Sequence, residues 1–151
     1  MKIKCISLWE PWASAMARHL KRNETRSWAT SYRGPLAIHA AKKPFDQFDY
    51  EDKFVEFLRS HNLLSNLGYG NVLCIVDLVK CTRTELVLAG LSRTEEQLGD
   101  YSPQRFALET TNLRVLPFPV PLRGQQRLFD WAVPPELEQL AGVEMEEGGF
   151  W

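Results

Sequence analysis

The spacing of apolar residues near the start of the chain predicts a strand followed by an amphipathic helix. From Ala13 onward, apolar residues recur at offsets of three, four and seven positions, which places them on one face of a helix. Pro11 suits the first helical position, because the N–H that proline lacks is not needed there. We therefore predict a strand over residues 3–8 and a helix over residues 11–21.

Later apolar runs predict the other strands of a sheet. The run at residues 71–81 is apolar enough to be buried on both faces, whereas the prolines of residues 117–124 restrict that stretch to an edge strand or a strap. The polar residues 82–104 are expected to form a loop over a cleft, with two short helical turns. Further strands are predicted at 24–28, 36–41, 104–116 and 128–131, and further helices at 45–61 and 135–140. Short strands interleaved with helices, without a βαβ rhythm, indicate an α+β fold with a mixed, strongly curved sheet.

The composition is that of an ordinary soluble domain, with 151 residues of which 44% are hydrophobic and 25% are charged. The sequence has no apolar run long enough to cross a membrane, and its first residues lack the apolar core of a secretion signal. Three cysteines without a CxxC pair fit a reducing cytoplasm, and neither they nor the three histidines have metal-ligand spacing. We therefore expect a cytoplasmic protein with no metal, no cofactor and no membrane partner. A bacterial or phage source is also expected.

The charge is distributed unevenly along the chain, although the net charge is only −1. Residues 1–43 carry nine Lys and Arg against two Glu, a net charge of +7, and the remainder carries nine against seventeen, a net charge of −8. Such an asymmetry favours a one-sided positive surface for a polyanion. Mutual neutralisation of the two parts in the fold is an equally good interpretation.

Cations, a carboxylate and aromatic rings are predicted to converge where the first helix meets the next strand. Glu24 and Arg26 alternate with small polar residues, so on a strand their side chains share one face, and Lys21 precedes them at the helix end. Aromatic faces among cations are what a nucleobase and a phosphate require. The candidate nucleic-acid-binding residues are Trp9, Trp12, Lys21, Glu24, Arg26, Arg33, His39, Lys42, Lys43 and Arg105.

The same cluster admits two other interpretations. As an enzyme, the chain would use Lys21 as base or nucleophile and Glu24 as acid or base, with Arg26 holding an anion. No nucleophile elbow, Walker motif or dinucleotide fingerprint accompanies them. As a structural feature, the cluster would be an ion pair in a protein-interaction module, since paired surface charges are common and contribute little.

An octet and four other stretches carry a family resemblance. The octet His19–Arg26 resembles the G-x-K-x-x-E-x-R signature of the ASCH (activating signal cointegrator homology) domain, with His19 where glycine is usual. The stretches ISLWEPWA, SYRGPLAIHAAKK, YSPQRFALE and PFPVPLRGQQRLFDW resemble other blocks of the family, in the same order. The resemblance covers residues 3–140.

This resemblance implies a fold, a ligand class and three site residues. It implies a PUA-like small curved, mainly antiparallel β-barrel with helices at its rim and a cleft lined by Lys21, Glu24 and Arg26. It implies a nucleic-acid or nucleoside ligand. Some bacterial relatives are amidohydrolases that deacetylate acetylcytidine with a Lys base, a Thr nucleophile and a distal Glu. This chain keeps Lys21 but has Glu24 in place of that Thr. Other members resemble ribonucleases or coregulator modules.

Taken together, these observations predict one ASCH domain over residues 1–140 and an acidic, Gly-rich tail over 141–151. The predicted function is binding of nucleic acid, RNA rather than DNA, through a basic cleft beside the helix 11–21. The alternative is hydrolysis of a modified nucleoside or of RNA, with Lys21 and Glu24 as the catalytic residues. The sequence leaves the oligomeric state open.

Overall fold

Two parallel strands and a helix between them define the part of the fold that carries the site. The computed structural model describes residues 1–142, and the predicted tail lies outside them from residue 143 onward. Strand β1 (Lys2–Leu8) leads into helix α1 (Trp12–Ala17), strand β2 (Asn23–Arg26) and strand β3 (Gly34–Ala40), and β3 pairs parallel with β1. Because parallel strands end at the same sheet edge, the residues after β1 and β3 meet next to α1.

Three further strands complete a six-stranded mixed sheet: β4 (Asn71–Arg83), β5 (Phe106–Pro121) and β6 (Leu128–Ala132). The later α-helices are α2 (Asp52–Ser60), α3 (Thr84–Val87), α4 (Arg93–Gln97) and α5 (Glu138–Ala141). The strand order is β2-β5-β4-β3-β1-β6, and every pairing except β1 with β3 is antiparallel. The α+β class and the mixed, mainly antiparallel sheet are therefore confirmed.

The prediction of a β-barrel is wrong, because the sheet does not close: β2 and β6 are its two edge strands and do not pair with each other across residues 1–142. The sheet nevertheless curves strongly. In a flat sheet, β1 and β2 would lie roughly 19 Å apart, four strand spacings, yet the Arg26 guanidinium of β2 donates to the Ser7 carbonyl of β1 at 2.9 Å. A side chain, and not a backbone ladder, spans the gap, and this gap is the cleft described below.

Helix α1 is shorter than its apolar pattern predicts. It ends at Ala17, because the chain turns at His19, whose backbone is left-handed with φ of 63°. Lys21 therefore lies in a tight connection to β2 and not at the end of a helix. The left-handed backbone also explains why glycine is usual at this position of the family signature, since glycine adopts it without steric cost.

This conformation makes His19 a site where glycine should stabilise the fold. An L-residue pays about 1–2 kcal/mol in the left-handed region, whereas glycine loses about 0.5–1 kcal/mol in chain entropy. We expect His19→Gly to raise the free energy of unfolding by up to about 1 kcal/mol, measured by urea denaturation. His19→Ala also removes the exposed imidazole but keeps the strain, so it should give no gain. Equal gains for both variants would contradict the explanation.

Two other predicted boundaries differ for identifiable reasons. The helix expected at 45–61 is a 3₁₀ turn (Gln47–Asp49) followed by α2, and the two meet at Tyr50, whose backbone is extended. The stretch 117–124, predicted to be an edge strand or a strap, is an edge strand over most of its length, because β5 continues through it and pairs with β4 as far as Pro121. Its three prolines are tolerated because β2 pairs with β5 only over residues 106–109, which leaves the later half an edge strand.

The core lies on both faces of the sheet. On one face, α1 covers the buried residues Ile6, Leu8, Leu36, Ile38, Leu78 and Leu108. On the other, Phe129 and Trp131 of β6 pack with Cys5 and Ile75.

Burial raises the pKa of the Cys5 and Cys74 thiols to about 12, so neither supplies a nucleophilic thiolate. Along residues 1–142, no helix has the length and apolar character needed to cross a bilayer.

Candidate functional site

A cleft of about 760 Å³ opens between the end of β1, helix α1, strand β2 and the segment after α4. We call it the motif cleft. All three side chains of the family signature line it, so the predicted convergence of Lys21, Glu24 and Arg26 is present in the fold. Its other polar and aromatic lining residues include Ser7, Trp9, Trp12, Tyr50, Asp100 and Arg105.

The three signature residues form one chain of charged contacts. Glu24 accepts from both neighbours, with Oε1 at 3.2 Å from the Lys21 ammonium and Oε2 at 2.9 Å from Arg26 Nε. Arg26 continues the chain to the Ser7 carbonyl. Glu24 and Arg26 share one face of β2, as alternation predicts. The cluster carries a net charge of +1, and the Arg26 side chain is 24% exposed toward the cleft.

Lys21 is buried and its ammonium is saturated. Only 1% of its side chain is exposed, and besides Glu24 it donates to the carbonyls of Asn23 and Leu98, the latter at 3.0 Å. Three N–H donors thus meet three acceptors. A general base needs a free lone pair on nitrogen, which this arrangement does not provide. The geometry assigns Lys21 to holding β2 and the segment after α4 together.

The two tryptophans flanking Pro11 take different positions. Trp9 is 52% exposed at the mouth of the motif cleft. The ammonium of Lys43 lies 3.4 Å from the centroid of its ring, a cation–π contact. Trp12 instead packs in an aromatic cluster with Phe45, Tyr50 and Phe54, at centroid distances of 5.8 to 6.4 Å. Trp9 is therefore the ring available for stacking on a ligand.

The other predicted residues are only partly brought together. Arg105 lines the motif cleft but is bound to the carbonyls of Thr25 and Asp100. Lys42 and Lys43 lie exposed after β3, and of the two it is Lys43 that contacts Trp9. Arg33 lies at the opposite end of β3, where its guanidinium donates to carbonyls of its own turn. The structure thus separates Arg33 from the cleft.

His39 is buried and does not face the motif cleft. Its Nε2 donates to the Leu122 carbonyl at 2.7 Å, which leaves Nδ1 to accept the Ser7 hydroxyl at 2.8 Å. Burial lowers the pKa of His39 below its ordinary value of 6.5, more than the bond to Leu122 raises it. His39 therefore fixes the position of a loop.

The lowered pKa of His39 predicts a pH-dependent stability. A group with a depressed pKa in the folded state binds protons more readily when unfolded, so stability is full above pH 6.5 and falls as the pH drops toward the folded-state value. We expect the free energy of unfolding to decrease between pH 7.5 and 5.5, and to decrease less in His39→Gln. Urea denaturation at both pH values measures the difference, and identical decreases would contradict the assignment.

Sequence reasoning missed one basic segment, which lies near the end of β1. Residues 122–127, Leu-Arg-Gly-Gln-Gln-Arg, connect β5 to β6 and expose Arg123 and Arg127. We call this segment the basic loop. It belongs to the acidic part of the chain, so the charge count concealed it. The only signal was its place in a block that resembles the family.

Comparison with known protein families identifies the same family as the signature residues. The model of the ASCH domain matches residues 6–119. The chain belongs to the ASCH domain family, which confirms the resemblance inferred from the signature and its flanking blocks.

Two curated relatives are similar to this chain. Activating signal cointegrator 1 of Homo sapiens is 31% identical over 142 residues, and activating signal cointegrator 1 of Mus musculus is 30% identical over 142 residues. Each alignment covers 89% of this chain but 23% of the relative. The chain therefore spans less than a quarter of the length of these curated relatives.

Proposed function

We propose that this chain binds nucleic acid, RNA in preference to DNA, at the motif cleft. The observation that carries the proposal is the exposed ring of Trp9 at the mouth of a cleft with a cationic signature cluster. An exposed indole stacks on any base, and cations beside it hold the adjoining phosphate. Membership of the ASCH family and the implied PUA-like fold are consistent with such a ligand.

Binding without turnover is the simpler use of this geometry. A base stacked on Trp9 would displace Lys43 from one ring face, which frees that ammonium for a phosphate. Arg26 keeps donors directed toward the cleft after its bonds to Glu24 and Ser7, because a guanidinium has five N–H groups. Hydrolysis would instead need an activated nucleophile, and the saturated Lys21 does not supply a base.

Fluorescence titration with short RNA tests the proposal directly. Trp9→Ala should weaken binding of labelled single-stranded RNA by about 5- to 150-fold, the equivalent of about 1–3 kcal/mol for one stacked base. Phe48→Ala is the matched control, since Phe48 is 87% exposed and does not line the cleft. Equal effects of both variants, or no binding by the wild type, would overturn the proposal.

Product analysis separates binding from catalysis. The wild-type chain is incubated with RNA and with acetylated cytidine, and the mixtures are resolved by chromatography. The proposal expects both substrates to be recovered intact. Turnover of either substrate by the wild type would replace the binding proposal with the hydrolase alternative.

A further inference from the structure

A second cleft lies beside the motif cleft and is joined to it. It measures about 960 Å³ and is lined by the residues after β3, by residues 69–71 and by the basic loop. A smaller depression of about 340 Å³ connects the two: it shares Ser7, Trp9 and Arg26 with the motif cleft, and Ser7, Gln125 and Gln126 with the second cleft. The three depressions therefore form one groove with Ser7 on its floor.

The lining of the new part of the groove is cationic. Lys42 and Arg123 line the second cleft, and Arg26 and Arg127 line the connecting depression. Over residues 1–142, no carboxylate lines either of them. The amides of Gln125 and Gln126 supply both donors and acceptors, which suit the edges of unpaired bases. Asn71 adds only its Oδ1 acceptor, because its amide nitrogen donates to the carbonyls of Gly68 and Tyr69.

The connecting depression holds two guanidinium groups against one aromatic ring. Arg26 lies 5.9 Å and Arg127 lies 5.2 Å from the centroid of Trp28. The ring attracts each cation, but the two cations repel one another. An anion bound in this depression, which both guanidinium groups line, would be attracted to both of them. This is where a phosphodiester passing between the clefts would be held.

The basic loop is fixed in place before any ligand binds. The Leu122 carbonyl accepts from His39, and the Leu122 N–H donates to the Gly70 carbonyl at 3.0 Å. The backbone of Gly124 lies so close to the floor that a Cβ there would stand 2.7 Å from Ser7 Oγ and 3.0 Å from His39 Cε1. A groove wall that is already ordered loses little entropy when it takes up a ligand.

We infer that the ligand is a single strand of nucleic acid that runs from the motif cleft, past Trp28, into the second cleft. The inference rests on the proposed function and specifies its substrate class. A duplex is excluded by the same chemistry, because its bases are already stacked and paired and offer neither a face to Trp9 nor an edge to the amides.

A length series of labelled single-stranded RNA tests the inference. With the wild-type chain, affinity should rise from the dinucleotide to the decamer as the strand reaches the second cleft. The double variant Lys42→Ala/Arg123→Ala should bind the dinucleotide like the wild type but the decamer at least about tenfold more weakly, because it loses two cations that would hold the phosphates in the second cleft. A duplex of the same sequence should compete poorly.

Gly124→Ala separates loop geometry from simple charge. It removes no cation, but its methyl group pushes the basic loop away from Ser7 and His39, so the decamer alone should lose affinity. Lys2→Ala, at the far end of β1, is the charge control and should leave both ligands unaffected.

The outcomes distinguish failure of the single-strand inference from failure of the proposed function. Equal weakening of dinucleotide and decamer in the double variant, an unchanged decamer, or a duplex that binds as well as the single strand would overturn the inference and leave the motif cleft as the binding site. Failure of the wild type to bind any oligonucleotide would overturn the proposed function itself.

Discussion

Replacing Glu24 with alanine should lower the free energy of unfolding by about 3–5 kcal/mol, because it removes the carboxylate that contacts the buried Lys21 ammonium. The Lys21 side chain is 1% exposed and the Glu24 side chain 15% exposed. Two carbonyls still accept from Lys21 in the variant, so the lower end of that range is the expected value. Urea denaturation, or the loss of a cooperative transition, measures the effect.

A double-mutant cycle attributes that loss to the pair. The cycle comprises Lys21→Met, Glu24→Gln and the double variant Lys21→Met/Glu24→Gln. The double variant removes both charges, and Met fills the space of the Lys stem, so it should lose less stability than the sum of the two single variants. Asp130→Ala is the matched surface control. It breaks the pair with Lys4, in which both side chains are exposed, and should leave the denaturation midpoint nearly unchanged. Strictly additive losses in the cycle would show that the pair is not coupled.

The cluster of Lys21, Glu24 and Arg26 shows which features of the site a sequence pattern predicts and which it does not. Alternation along a strand places Glu24 and Arg26 on one face wherever that strand lies, so their shared cleft was predictable. The burial of Lys21 was not, because it depends on the Leu98 carbonyl, 77 positions away. The left-handed turn at His19, which sends Lys21 inward, was indicated only by the glycine that is usual at this position of the family signature.

The charge asymmetry likewise predicted only part of the surface. Lys4 and the N-terminal amine pair with Asp130 and Glu138 from the acidic remainder, so some of the basic first part is neutralised in the fold. The basic loop has the opposite effect on the local charge, because it places Arg123 and Arg127 at the edge where β1 and β3 end. The antiparallel pairing of β6 with β1 places it there, a long-range contact that local composition does not encode. The prediction of a barrel was wrong for the same reason, since closure depends on how far the whole sheet curves.

Binding of single-stranded RNA should weaken steeply with salt. Four exposed cations lie around the groove, namely Lys42, Lys43, Arg123 and Arg127, and within residues 1–142 none of them is in a salt bridge. If each neutralises one phosphate, the slope of log K against log salt is about −2.8, which lowers the affinity about 50-fold between 50 and 200 mM salt. Fluorescence anisotropy at a series of salt concentrations measures the slope.

Single substitutions assign that slope to residues. Lys42→Ala should reduce it by about 0.7 and weaken binding of many sequences alike, at an unchanged melting temperature, because an exposed cation is lost. Arg26→Ala should lower both affinity and melting temperature, since it removes one of the two cations that contact Glu24 and the bond to the Ser7 carbonyl. Lys2→Ala should change neither quantity. If Lys42→Ala and Lys43→Ala bind RNA like the wild type at low salt, these cations form only a solvated surface, and the groove does not hold a phosphate backbone.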